Sequence, residues 1–130
     1  MDRTKLAADF TQGYIEALLF SSTVEINGET VSADLVGYVS TAAIGSCTAD
    51  CNDFLSKHKP LVKQAARIEG YSASQAGHDF ALTRNGHGAG FWDREVLPQE
   101  LRDALTAASQ AFGEVSAYVN DAGEVELANA

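Results

Sequence analysis

The spacing of apolar residues predicts three or four helices along the chain. Over residues 4–21 the apolar side chains recur every three or four positions, which is the period of one helical face. A second helix is expected within 41–58, and Pro60 ends or kinks it because proline disfavours helical geometry at the preceding residue. A short helix is predicted over 61–68, and the clearest amphipathic stripe lies over 98–112.

The stretch 77–94 is predicted to be a β-hairpin. Over 80–84 apolar and polar side chains alternate with a period of two, which is typical of a strand. Asn85-Gly86 favours a turn because both residues tolerate positive φ. We therefore expect 80–84 to pair antiparallel with 91–94 across the glycine-rich loop between them.

A second hairpin is predicted over 114–128, with its turn at Asp121-Ala122-Gly123. Residues 24–31 form either a further short hairpin around Asn27-Gly28 or a structured loop. Helices and hairpins that follow one another in separate blocks are typical of the α+β class. The chain is thus predicted to be a single domain, residues 1–130, with a small antiparallel sheet of two hairpins packed against three or four helices.

The net charge of −9 is unevenly distributed along the chain. Residues 1–55 carry eight acids and two bases, and residues 95–130 carry seven acids and one base, whereas 56–70 carry four bases and one acid. Direct binding of duplex DNA is not expected, because cationic side chains are needed to displace phosphate counterions. The acidic surface instead favours a protein partner with a basic surface, or serves solubility alone.

From composition and hydropathy we expect the protein to be cytoplasmic. No apolar run approaches the length that spans a bilayer, and the first residues lack the apolar stretch of a secretory signal. We therefore expect no membrane partner. The sequence leaves the oligomeric state open.

The glycine-rich loop after residue 84 is the foremost candidate for a binding surface. His87 lies between glycines, where core packing has little use for an imidazole. Two arginines and a tryptophan flank the loop, and these residue types dominate binding hot spots. The residues predicted to border the surface are Arg84, Asn85, His87, Trp92, Asp93 and Arg94. The alternative for Arg84 and Asp93 is a salt bridge that only pins the loop.

A catalytic role is the less favoured interpretation of the same stretch. His87 with Asp93 or Asp79 would form the histidine–carboxylate pair that general acid–base chemistry requires. Ser74 and Thr83 are the available nucleophiles, and neither lies in a nucleophile-elbow pattern. The loop also lacks the Lys-Ser/Thr ending of a phosphate-binding loop. No catalytic residue and no cofactor is therefore predicted.

Cys47 and Cys51 are predicted to be reduced, buried and free of metal. They lie four residues apart on a predicted helical face, where disulfide geometry is poor. Together with His58 they would supply three metal ligands, but a structural zinc site needs four, and the sequence has no second paired cluster. Small buried hydrophobic side chains are the interpretation that remains.

The segment 82–94, preceded by Ala76-Gly77-His78-Asp79-Phe80, resembles a segment that recurs in small uncharacterised bacteriophage and prophage proteins. The likeness extends more loosely to Phe112-Gly113-Glu114, to the turn at 121–123 and to the helix at 14–19, which is about half the chain. The resemblance implies a phage-type origin, and with it the cytoplasm of a host cell as the location, and it implies no catalytic residues.

Two functions are carried forward from the sequence. The first is a small acidic phage-type accessory protein that binds and modulates a host macromolecule, for example by inhibiting a host defence or nucleic-acid-handling protein. The alternative is a small-molecule or nucleotide-binding enzyme with its site on the predicted hairpin at 78–94. An acidic binding face would favour the first function, and a polar pocket around the hairpin would favour the second.

Overall fold

The computed structural model describes residues 3–129, with side chains from residue 5 onward, and this part of the chain contains four α-helices and two β-hairpins. The helices are α1 (Arg3–Ser21), α2 (Thr41–Ala66), α3 (Ala73–Arg84) and α4 (Gln99–Gln110). The strands are β1 (Thr23–Ile26), β2 (Glu29–Ser32), β3 (Val115–Val119) and β4 (Val125–Asn129). Short 3-10 turns lie at Ala33–Leu35 and Phe91–Asp93. The predicted α+β class, with three or four helices and small antiparallel hairpins, is confirmed.

The core is built around α3, nine of whose twelve residues are buried. The ring of Phe80 lies 5.9 Å from that of Phe10, 5.0 Å from Tyr14 and 4.3 Å from Phe54, measured between centroids. Aromatic pairs at such distances each contribute about 0.5–1.5 kcal/mol beyond the burial of their area. This cluster joins α1, α2 and α3, so the position of α3 is fixed from several sides.

Helices α1 and α3 approach each other closely because each has a glycine at the contact. A Cβ atom built on Gly13 would lie 1.9 Å from the carbonyl oxygen of Ser74, and one built on Gly77 would lie 1.8 Å from that of Phe10. No side chain fits at either position. The two glycines therefore set the distance between the helices.

The predicted hairpin at 77–94 is wrong, because the residues up to Arg84 belong to α3. The helix begins where the Ser72 hydroxyl accepts a hydrogen bond from the Gln75 amide at 3.1 Å. A helix that is buried around most of its circumference has no polar stripe, so its residues show no period of 3.6. The alternation that suggests a strand over 80–84 is accidental, since both sets of alternating side chains are buried.

Asn85-Gly86 ends α3 instead of turning a hairpin. Gly86 has a φ of +66°, and its amide donates to the Thr83 carbonyl at 3.2 Å. The next amide, that of His87, donates to the Leu82 carbonyl at 3.0 Å. This pair of bonds is the Schellman arrangement of a helix C-terminus, which also requires a residue that tolerates positive φ.

Pro60 kinks α2 but does not end it. The helix starts at Thr41, where the Ser40 hydroxyl accepts a hydrogen bond from the Ala43 amide at 2.9 Å. His58 departs from helical geometry with φ −130° and ψ 20°, and the helix continues to Ala66. The helices predicted within 41–58 and over 61–68 are therefore the two halves of one kinked element.

The two hairpins pack together on a small core of their own. Val24, Ala33 and Val125 are buried at its centre. Residues 38–40 join this layer, since the Val125 amide donates to the Tyr38 carbonyl at 2.9 Å and the Ser40 amide donates to the Val125 carbonyl at 3.0 Å. The hairpin predicted at 114–128 is confirmed, and residues 24–31 form the hairpin, with antiparallel strands joined at Asn27-Gly28.

Candidate functional site

Arg84 lies inside the molecule and not at the mouth of a loop. Its side chain is 1% exposed, and its Nη1 donates to Asp50 Oδ2 at 2.7 Å and to the Tyr14 hydroxyl at 3.0 Å. Its Nε and Nη2 donate to the carbonyl oxygens of Gly113 and Phe112 at 2.8 and 3.1 Å. The predicted alternative, a salt bridge between Arg84 and Asp93, is wrong, because Arg84 forms its salt bridge with Asp50. Arg84 joins α1, α2 and α3 to the end of α4.

Arg94 forms the second internal ion pair, with Asp79 of α3. Nε donates to both carboxylate oxygens at 3.0 Å, and Nη2 donates to Oδ1 at 2.7 Å. The Tyr71 hydroxyl donates to Oδ2 at 2.7 Å, and burial followed by the nearby Asp79 charge raises the pKa of Tyr71. Asp79 is fully buried, whereas the Arg94 side chain is 27% exposed. Arg94 is thus held by Asp79 through Nε and Nη2, and part of its side chain remains accessible to solvent.

The other predicted binding residues lie near the surface beyond α3. The side-chain carbonyl of Asn85 accepts from the Val115 amide at 2.8 Å, and the Asp93 carboxylate accepts from the Gly90 amide at 3.0 Å. His87 is exposed, with its Nε2 3.2 Å from the Ser21 carbonyl oxygen at the end of α1, and Trp92 is 47% exposed. That these four residues border a functional surface stays a prediction.

The structure does not bring together the histidine–carboxylate pair of the catalytic interpretation. Asp79 is engaged by Arg94 and Tyr71, and Asp93 by the Gly90 amide, so neither carboxylate pairs with His87 in the part of the chain that is described. The Thr83 hydroxyl accepts a hydrogen bond from the Phe91 amide at 3.1 Å and is buried. These residues fix the loop to α3.

Cys47 and Cys51 are buried free thiols on the core side of α2. Burial, with the neighbouring Asp50 charge, raises the pKa of Cys47 to about 12, and burial also raises that of Cys51. His58 packs its ring 5.1 Å from that of Phe54. Among residues 3–129 no group of three His, Cys, Asp or Glu side chains is placed to hold a metal ion.

A cleft of about 320 Å³ opens between the start of α3 and Arg94. We call it the α3 cleft, and its lining residues are Ser72, Ser74, Gln75, His78 and Arg94. The His78 ring packs against the exposed ring of Phe20, with centroids 5.6 Å apart. Of the lining residues only Arg94 belongs to the predicted site. The signal that could have found the others is the Ser-x-x-Gln pattern at 72–75, which starts a helix and places Ser74 and His78 on one face.

The hairpin layer is acidic throughout. We call residues 23–40 and 114–129 the acidic pole, since they carry three and four carboxylates respectively and no lysine or arginine. These carboxylates are Glu25, Glu29, Asp34, Glu114, Asp121, Glu124 and Glu126. Within the described chain every ion pair involves an acid from outside the pole. Hydrogen bonds from Ser40 and Asn120 lower the pKa of Glu126.

The acidic pole also exposes large apolar side chains. Leu35 is 76% exposed and Tyr38 72%, and Tyr118 and Ile26 are exposed as well. Exposed aromatic and aliphatic side chains next to charges of one sign are a feature of surfaces that bind other macromolecules.

The chain was also compared with known proteins. No family model, curated protein or solved structure matches it. Over the described range, no helix combines the length and the apolar character needed to cross a membrane.

Proposed function

We propose that this chain is a small binding protein whose acidic pole docks on the basic surface of another protein. The observation that carries the proposal is that the acidic pole contains seven carboxylates, no lysine or arginine, and exposed apolar side chains such as Leu35 and Tyr38. Like charges that are held together without counter-charges repel each other. A basic partner would remove that repulsion on binding.

Charge and apolar contact would have separate roles in such an interface. A surface of one sign speeds the encounter with an oppositely charged partner and makes the association rate depend on salt. A tyrosine or leucine that becomes buried on docking lowers the dissociation rate. The carboxylates therefore select a basic surface, and Tyr38 and Leu35 are the expected anchors.

The concrete form of the proposal is a phage-type accessory protein that modulates a host macromolecule. Inhibition of a host defence or nucleic-acid-handling protein fits, because proteins that handle nucleic acids present basic surfaces. The resemblance of the segment 76–94 to small phage and prophage proteins supports this origin, and the net charge of −9 supports a basic partner.

The test compares two variants with the same change in net charge. Glu25→Gln/Glu29→Gln alters the acidic pole, whereas Glu69→Gln/Glu100→Gln alters exposed acids outside it. Each protein is used to capture partners from a bacterial lysate, and a protein retained by the wild type is purified for stopped-flow measurements at two salt concentrations. We expect the pole variant to associate about three- to tenfold more slowly and with a weaker salt dependence, and the control variant to behave as the wild type.

Tyr38→Ala provides an independent arm of the same experiment. Because Tyr38 is exposed, its loss should leave the fold intact and increase Kd by about tenfold through faster dissociation. Equal association rates for the pole and control variants, together with an unchanged Kd for Tyr38→Ala, would reject the acidic pole as the docking surface.

A further inference from the structure

We propose that the α3 cleft binds a phosphate group, either as the free ion or as a monoester of a small molecule. All five lining side chains carry N–H or O–H donors, and no carboxylate lines the cleft. The volume of about 320 Å³ lies at the small end of the range of about 300–1,000 Å³ usual for ligand sites. A cavity lined by hydrogen-bond donors and one arginine, without a carboxylate, is suited to an anion, although the chain as a whole has a net charge of −9.

Arg94 supplies the charge of this site in a fixed orientation. Its Nε and Nη2 are held by Asp79, which is itself held by the Tyr71 hydroxyl. Nη1 makes no hydrogen bond to any part of the described chain, and the side chain is 27% exposed. A planar guanidinium with a free outer nitrogen is a common partner of phosphate oxygens. Because it is already oriented, little rotational freedom would be lost on binding.

The remaining donors come from one face of α3. Ser74 and His78 are separated by one helical turn, and neither side chain hydrogen-bonds to another described residue, nor does that of Gln75. The Ser72 hydroxyl accepts the Gln75 amide and keeps its own proton for donation. The partly exposed ring of Phe20 beside His78 offers an apolar wall for the rest of a phosphate monoester.

Asp79 and the nearby Asp93 carboxylate neutralise part of the Arg94 charge, so the affinity for phosphate alone should be modest. We expect a Kd on the order of 1 mM for inorganic phosphate. The site is separate from the acidic pole, since none of its lining residues belongs to the pole. Pole variants should therefore keep phosphate binding, and the two proposals can fail independently.

The experiment follows backbone and arginine Nε resonances by ¹H–¹⁵N NMR while inorganic phosphate or methyl phosphate is added at constant ionic strength. His78→Ala and Ser74→Ala remove donors from the cleft without touching the Arg94–Asp79 pair. Gln110→Ala and Ser46→Ala are the controls, because both residues are exposed and lie outside the cleft. Thermal melting within about 2 °C of the wild type would show that each variant is folded.

We expect shifts at Ser74, Gln75, His78 and Arg94 Nε that saturate with at least one of the two probes. Each cleft variant should weaken that binding by about three- to tenfold, and the controls should leave it unchanged. Saturation with both probes supports a site open to monoesters, and saturation with inorganic phosphate alone supports a site for the free ion. Shifts that chloride reproduces, that spread over the molecule, or that persist in both cleft variants would overturn the proposal.

Discussion

Arg94→Met is expected to destabilise the fold more than Asp79→Asn, although the two residues form one ion pair. Asp79 is fully buried, and its carboxylate accepts hydrogen bonds from Arg94 and from the Tyr71 hydroxyl. The Arg94 side chain is 27% exposed. Removing the arginine leaves a charge that water cannot reach, whereas removing the carboxylate charge leaves a cation that water can hydrate.

The magnitudes follow from this difference in exposure. Loss of one partner of a buried ion pair costs about 3–5 kcal/mol, and the partial exposure of Arg94 places Arg94→Met near 3 kcal/mol. Asp79→Asn keeps an oxygen that can accept from Tyr71, so its cost should be about 1–2 kcal/mol. Against a usual total stability of about 5–15 kcal/mol, both changes are measurable.

The double variant Arg94→Met/Asp79→Asn separates the buried charge from the lost contacts. It contains neither ion, so it should be more stable than Arg94→Met alone by about 1 kcal/mol. Urea unfolding followed by far-UV circular dichroism gives the free energy of unfolding of each protein, provided that the slopes agree. Lys5→Met, which removes the exposed pair with Asp9, is the control and should change stability by less than about 1 kcal/mol.

The reasoning would be refuted by either of two results. Equal losses for Arg94→Met and Asp79→Asn would mean that exposure does not decide the cost. A double variant that loses the sum of the two single losses would mean that no buried charge is left behind in Arg94→Met, and that only the contacts matter.

Two further predictions concern the core. Gly13→Ala should lower the free energy of unfolding by about 3 kcal/mol, because its Cβ would lie 1.9 Å from the Ser74 carbonyl oxygen. Gly45 has nothing within 4 Å of such a Cβ, so Gly45→Ala should stabilise α2 by about 0.5–1 kcal/mol. Equal urea midpoints for the two variants would contradict this prediction. Cys47 and Cys51 should resist a thiol reagent until the chain unfolds, because burial raises the pKa of Cys47 to about 12 and also raises that of Cys51. Native mass spectrometry should show no bound metal. One zinc per chain that is lost in Cys51→Ser would contradict the prediction that the two thiols are free of metal.

The sequence predicted those elements that have one exposed and one buried face. Helix α4 buries Leu101 and Leu105 and exposes its acids, and β3 alternates in the predicted way at its start. Helix α3 could not be recognised by the same rule, because most of its circumference is buried. Its end signals were present at Ser72 and Gly86, but a glycine after asparagine also fits a hairpin turn.

The surroundings of the predicted binding residues could not be predicted from the sequence. Arg84 pairs with Asp50 across 34 residues, and Arg94 pairs with Asp79 across 15. Nothing in the local pattern indicates pairs so distant, because they depend on how helices pack. The acidic character of the hairpins was readable from the charge distribution, but their assembly into one pole depends on the shared core around Val125.

Arg84 and Arg94 differ in whether a nitrogen of the guanidinium group remains available for a ligand. Every nitrogen of Arg84 donates a hydrogen bond within the molecule, and the side chain is 1% exposed, so it has no reachable capacity for a ligand. Arg94 is held by a buried carboxylate through Nε and Nη2, and its Nη1 remains available beside a cleft that contains no acid. Arg84 therefore has a structural role only, whereas Arg94 stabilises the fold and also keeps one nitrogen free to bind an anion.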